Sequence, residues 1–280
     1  MSLSPPLIGP ASGSAGLLLA VASAMALAAY ASVVVAGGAA AKATRWPRWT
    51  LILAWAAQGL ALLVDVGGYG LVPHATRFGF APALSMTIWL VLTVYLVESR
   101  FLPLHSVRRV LALLAAVAVL LAWSFPGQAR PLASSPLAPL HWVLGLASYG
   151  LFGVAVLHAA LMNRAEKRLR RQAAAAGGMP LLQLERLTFQ FVSAGVGVLT
   201  LAILLGWFFT PTWRWDHKTL FAVLGWLVLT GLLVGRRVYG WRGRRATRWL
   251  YAGASLLLLS YAGTRFVLEV VLQRASEGRL

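Results

Sequence analysis

The chain has 280 residues, of which 59% are hydrophobic and only 11% charged, and its mean hydropathy is +0.75; a soluble domain carries roughly 25% charged residues, so an ordinary water-soluble core is excluded and lipid is the expected solvent. The net charge of +18 sits in short connections between apolar runs, where the positive-inside rule places it, and no nucleic-acid module accompanies it. The absence of cysteine excludes thiol redox chemistry, iron–sulfur ligation and self-attachment of a c-type haem, and leaves histidine as the main candidate metal ligand.

Eight apolar runs follow in chain order: Gly16–Gly38, Leu51–Val72, Pro82–Val97, Val110–Phe125, Leu140–Leu161, Leu187–Thr210, Leu220–Gly235 and Trp249–Leu272. Crossing a hydrocarbon core of about 30 Å takes about 20 helical residues, so the short third and seventh runs are expected to borrow flanking residues. Nothing before Gly16 is Lys or Arg, so the first run reads as an uncleaved anchor, not a signal peptide. The expected fold class is all-α, a polytopic membrane helix bundle with about eight transmembrane helices. Residues 1–280 read as a single membrane domain.

Basic residues alternate between the two sides. Lys42, Arg45 and Arg48 lie after run one, and Arg100, Arg108 and Arg109 after run three. Six more follow run five (Arg164, Lys167, Arg168, Arg170, Arg171, Arg186) and six follow run seven (Arg236, Arg237, Arg242, Arg244, Arg245, Arg248). The opposite side holds only Arg77, Arg130, Arg214, Lys218, Arg274 and Arg279. Both termini are therefore expected in the periplasm of a bacterial inner membrane. The connection at residues 163–184 is read as a cytoplasmic overhang of the fifth helix followed by an Ala/Gly-rich linker, its charge facing water and lipid headgroups.

This frame places His74, His141 and His217 at the periplasmic face, His105 in the cytoplasm and His158 near the cytoplasmic end of run five. His141 and His217 open two helices that enter from the same side, and two neutral imidazoles across a gap form a natural axial pair for haem iron. Either alone reads first as an interfacial side chain with its polar end in water. His217 closes a short periplasmic connection, residues 211–217, in which Trp213 and Trp215 alternate with Arg214 before Asp216. Flat aromatic faces suit a planar macrocycle; Arg214, Lys218, Arg77, Arg130 or Arg265 can meet its carboxylates. Asp65, inside run two, is either a functional group or a hydrated boundary residue. Arg265 either pairs with Glu269, four residues on, or turns to the haem. Ser148, Tyr149, Gly150 and Gly153 read first as small-residue helix packing.

The stretch Trp213 to Lys218 resembles the tryptophan-rich periplasmic motif of the cytochrome c assembly family, the haem-handling membrane proteins of CcsA and CcmC type. The resemblance extends to its YpjD- or HemX-like branch through His141–Tyr149, Leu184–Leu187 with Gly195 and Leu199-Thr200, Gly240–Arg244, Tyr261–Phe266, and Phe80–Ser85 with Trp89. It implies haem b held non-covalently at the outer face, with His141 and His217 as axial ligands and Trp213, Trp215, Asp216, Arg214, Lys218 and Arg265 around it. The role implied is haem handling for cytochrome c biogenesis, in company with other maturation proteins and apocytochrome c; the protein itself is read as an assembly factor, not an independent catalyst. The chain departs from the family's fuller motif. Thr210-Pro211-Thr212 replaces an upstream Trp-Gly pair, His217 and Thr219 replace a Pro and a Glu, and no His follows His217. Gln58 stands where related proteins often carry an intramembrane His. These departures favour an accessory member over the synthase. Two other readings remain: a membrane regulator of tetrapyrrole synthesis, and a b-type haem electron carrier using His141 and His158, about 25 Å apart at 1.5 Å per residue.

Overall fold

The computed structural model describes residues 13–36, 46–68, 75–100, 107–131, 137–171, 181–209, 215–263 and 266–267. Among them are eight α-helices: α1 (Ser14–Val35), α2 (Trp46–Val66), α3 (Phe80–Glu98), α4 (Arg108–Ser124), α5 (Ala138–Arg171), α6 (Leu181–Phe209), α7 (His217–Tyr239) and α8 (Gly243–Leu258). A π-helical turn, Leu259–Gly263, continues α8. Six helices, α1 to α3 and α5 to α7, are long and apolar enough to cross a membrane. The third and seventh runs do borrow flanking residues, reaching 19 and 23 residues. The short members are instead α4, with 17 residues, and α8, with 16.

Two strands join the helices without any signal in the sequence. β1 (Ala75–Phe78) and β2 (Gln128–Pro131) pair antiparallel, Ala75 opposite Pro131 and Phe78 opposite Gln128. Four-residue strands give too short an alternation to read, and β-pairing satisfies backbone groups whatever the side chains.

The helices fall into two compact units, with the boundary inside α3 after Trp89. In the first, α1 packs on α2 and α4 through alanine faces: Ala22, Ala26 and Ala29, then Ala54, Ala57 and Ala61, then Ala112, Ala115 and Ala118, all buried. Small residues at helical spacing let backbones approach closely where lipid supplies no hydrophobic drive. In the second unit, α5 lies along α6 and α7 along α8 around Phe152, Ala155, Phe189, Val192, Leu229, Leu232, Leu250 and Leu257. Knobs and gaps match: a Cβ at Gly195 would fall 2.7 Å from Phe152, and one at Gly253 would fall 2.5 Å from Leu229.

Candidate functional site

His141 stands in the first turn of α5, half-buried. Its Nδ1 lies 2.8 Å from the Ala202 carbonyl oxygen on α6. A carbonyl can only accept, so Nδ1 carries the proton and Nε2 is the acceptor nitrogen of the ring, the tautomer common to metal-ligating histidines. One turn along α6, a Cβ on Gly206 would sit 3.1 Å from His141 Cε1; glycine is what lets the ring lie against the helix.

The start of α7 comes to the same end of this unit. The charge of Lys218 bears on the His141 ring. The Lys218 ammonium lies over the Tyr261 ring, 5.6 Å from its centroid, and its carbonyl accepts from Ser260 Oγ at 2.8 Å. Tyr149 Oη donates to the Leu257 carbonyl at 2.8 Å, fixing α5 to the last turn of α8. His217 is exposed as the first residue of α7, and Trp215 exposes 68% of its surface just before it. Asp216, between them, is spent on the helix: its carboxylate accepts from the Thr219 backbone N–H at 2.8 Å and caps α7. Partial burial raises the Asp216 carboxyl, but the bonds from Thr219 and the charges of Lys218 and His217 outweigh it and hold it below the usual carboxylate range. Trp213, Arg214 and Arg265 lie outside the described residues, as do His74 and His105.

Other candidates are committed within the fold. Arg77 and Asp65 are both buried and face each other at 3.8 Å in the first unit, so Asp65 has an opposite charge beside it within the fold. Gln58 is fully buried: Tyr30 Oη donates to its Oε1 at 2.6 Å, and its Nε2 donates to the carbonyl and Oγ of Ser85 at 3.1 and 3.0 Å. A polar network between Tyr30, Gln58 and Ser85 thus occupies this position of α2. His158, also fully buried, has Nε2 2.9 Å from Glu98 Oε2 and its ring against Phe191. That pairing, between residues 60 apart in sequence, carries no local signal.

Three other motif residues among those described, Thr200, Gly240 and Trp241, have packing roles. Thr200 Oγ1 accepts from Trp226 Nε1 at 2.8 Å. Gly240 ends α7 at φ 64°, in the left-handed region. Trp241 then folds back onto Gly235, stacks with Tyr239 and Trp249, and carries the Arg245 guanidinium 4.3 Å above its ring.

Residues 78–272 match the family described as Cytochrome C assembly protein. The chain is similar to the inner membrane protein YpjD of Escherichia coli K12, 31% identical over 145 residues that cover 50% of this chain and 55% of that protein. It is also similar to an uncharacterized 28.8 kDa protein of Azospirillum brasilense, 33% identical over 48% of this chain and 52% of that one. The cytochrome c biogenesis protein CcsA of Prochlorococcus marinus is 28% identical over 30% of this chain and 29% of its own length. The chain therefore spans about half the length of the first two relatives. No solved structure matches it.

Proposed function

Because this chain belongs to the cytochrome c assembly protein family, a multi-pass protein of the bacterial inner membrane with a general haem-handling role, we propose that it holds one b-type haem between His141 and His217 for cytochrome c maturation. The observation that supports the proposal is the His141 Nδ1–Ala202 bond, which sets the tautomer in which Nε2 is the acceptor nitrogen a haem iron requires. The donor chemistry fits: a porphyrin occupies four positions on iron and leaves two for imidazole nitrogens. In this reading Ala202 and Gly206 orient His141, while Asp216 caps α7 and so positions His217. Trp215, with Trp213, offers apolar ring surface; Lys218, with Arg214 and Arg265, supplies charge for the propionates. When bound, the iron is held for delivery, and no bond-making step falls to these side chains. About eight spans, one membrane domain and termini in the periplasm belong to the same proposal, as do partners among the maturation membrane proteins and apocytochrome c.

The engagement of His158 by Glu98 weighs against an electron carrier with a second haem at that histidine. The test is haem content and the Soret spectrum of detergent-purified wild type, His141→Ala and His217→Ala. Wild type is expected to take up haem in a one-to-one ratio and each variant to lose most of it. A wild type that takes up none overturns the function, and full occupancy in both variants overturns the ligands.

A further inference from the structure

At the opposite end of the second unit, α5 and α8 enclose a cleft of about 300 Å³, the lower end of the range of small-molecule sites, about 300–1,000 Å³. It lies 22 residues beyond His141 along α5, about 33 Å at 1.5 Å per residue, so it is separate from the proposed haem site. Asn163 and Lys167, one turn apart on α5, face Arg244 and Arg248, one turn apart on α8; Glu166 is the acidic residue of the lining. We propose that this cleft binds a phosphate group, carried by an anionic lipid headgroup or by a free phosphate ester.

The basic run that opens α8 divides cleanly. Arg242 faces Glu185 at 3.7 Å, and Arg245 lies over Trp241. Arg244 and Arg248 line the cleft instead, and neither has an ion-pair partner among the described residues. The position of Arg244 is electrostatically costly: it stands in the first turn of α8, the positive end of a helix, where anions are favoured and cations are not. The first turn of α8 has no acidic residue, and its N-cap residue, Arg242, makes no side-chain capping bond. Uncapped amide N–H groups beside two guanidinium forks are a donor set for phosphate oxygens.

A second observation points the same way. Asn163 donates from Nδ2 to Tyr251 Oη at 3.1 Å, while its buried Oδ1 has no partner. Turning the amide over lets Tyr251 donate to Oδ1 and frees Nδ2 to donate to an anion, so occupancy would resolve an unpaired buried atom. Trp241 and Trp249, stacked beside the cleft, are residues enriched at headgroup depth.

The test uses native mass spectrometry of the full chain in detergent, titrated with phosphatidylglycerol, with phosphatidylcholine and with inorganic phosphate. Arg244→Gln/Arg248→Gln is compared with a charge-matched control on exposed positions, Arg109→Gln/Arg186→Gln. If the source is lipid, phosphatidylglycerol binds at least about tenfold tighter than phosphatidylcholine, and the cleft variant alone loses that preference. If the source is a free ester, inorganic phosphate binds in the wild type and control but not in the cleft variant. A wild type that shows neither the phosphatidylglycerol preference nor phosphate binding, or equal loss in the control, overturns the proposal. Haem content of the cleft variant, expected unchanged, reports that it is folded.

Discussion

His141 is held by two α6 residues one turn apart: the Ala202 carbonyl accepts a hydrogen bond from its Nδ1–H and Gly206 leaves room for its ring. Gly206→Ala puts a methyl carbon 3.1 Å from Cε1, and the ring cannot withdraw without lengthening its bond to Ala202. Haem affinity is expected to fall about tenfold, the scale of a lost orienting contact behind a metal ligand, with helical content unchanged. Titration followed at the Soret band checks this; an unaltered affinity would show that ring orientation does not govern ligation. Asp216 permits a separate prediction. Its folded carboxyl is held below its unfolded value, so its capping contribution is fully present above the unfolded pKa of about 3.9 and is lost as pH falls through the lower folded value. Asp216→Ala should cost about 1 kcal/mol at neutral pH, and the gap from wild type should close in acid. Thermal unfolding of the pair at pH 7 and pH 3 measures it, and a gap that widened in acid would contradict the cap.

The link between α7 and α8 depends on one small residue. A Cβ on Gly235 would lie 2.5 Å from Trp241 Cε3, and moving that ring away would disturb its stacking with Tyr239 and Trp249. Gly235→Ala should cost about 1–3 kcal/mol by overpacking, read as a lower Tm with haem uptake retained. Removing the acceptor of His158 tests the other buried pair. Glu98→Leu leaves Nε2 as unpaired as Nδ1 already is, for about 1–3 kcal/mol, and Glu98→Gln should recover most of it. Equal stability of the two variants would show that the hydrogen bond contributes nothing. These elements also mark how far the sequence can be read. Helices show as apolar runs, and the overhang of α5 to Arg171 follows from its charge pattern. The cap is legible too, an Asp three residues before Thr219 at the head of a run, although the family motif casts that Asp as a haem contact. The strand pair and the Glu98–His158 and Tyr30–Gln58–Ser85 bonds are not legible, because each joins distant segments with no local periodicity. Gly235 and Gly240 are visible as letters in the chain, but their reasons, a stacked ring and a positive φ, exist only in three dimensions.

Orientation is the property on which both sites depend, and charge sets it. Eighteen basic residues lie in the connections after runs one, three, five and seven, and six in the alternate connections and the C-terminal tail, the bias on which the proposed orientation rests. In the proposed orientation Trp215 and His217 lie in the periplasm, and Tyr239 and the cleft of Arg244 and Arg248 in the cytoplasm. The chain contains no cysteine, so a single introduced thiol is an unambiguous reporter. Trp215 and Tyr239 bracket α7 and are 68% and 72% exposed. In cells with a permeabilised outer membrane, an impermeant maleimide should label Trp215→Cys directly and Tyr239→Cys only after the inner membrane is broken. The reverse pattern would put His141 and His217 in the cytoplasm, where haem held between them could not reach cytochrome assembly on the outer face. It would also move the phosphate cleft away from the leaflet whose anionic headgroups attract basic segments. Labelling of both thiols in unbroken cells would mean that α7 does not cross, despite its 23 residues, and would remove the common frame of the two proposals.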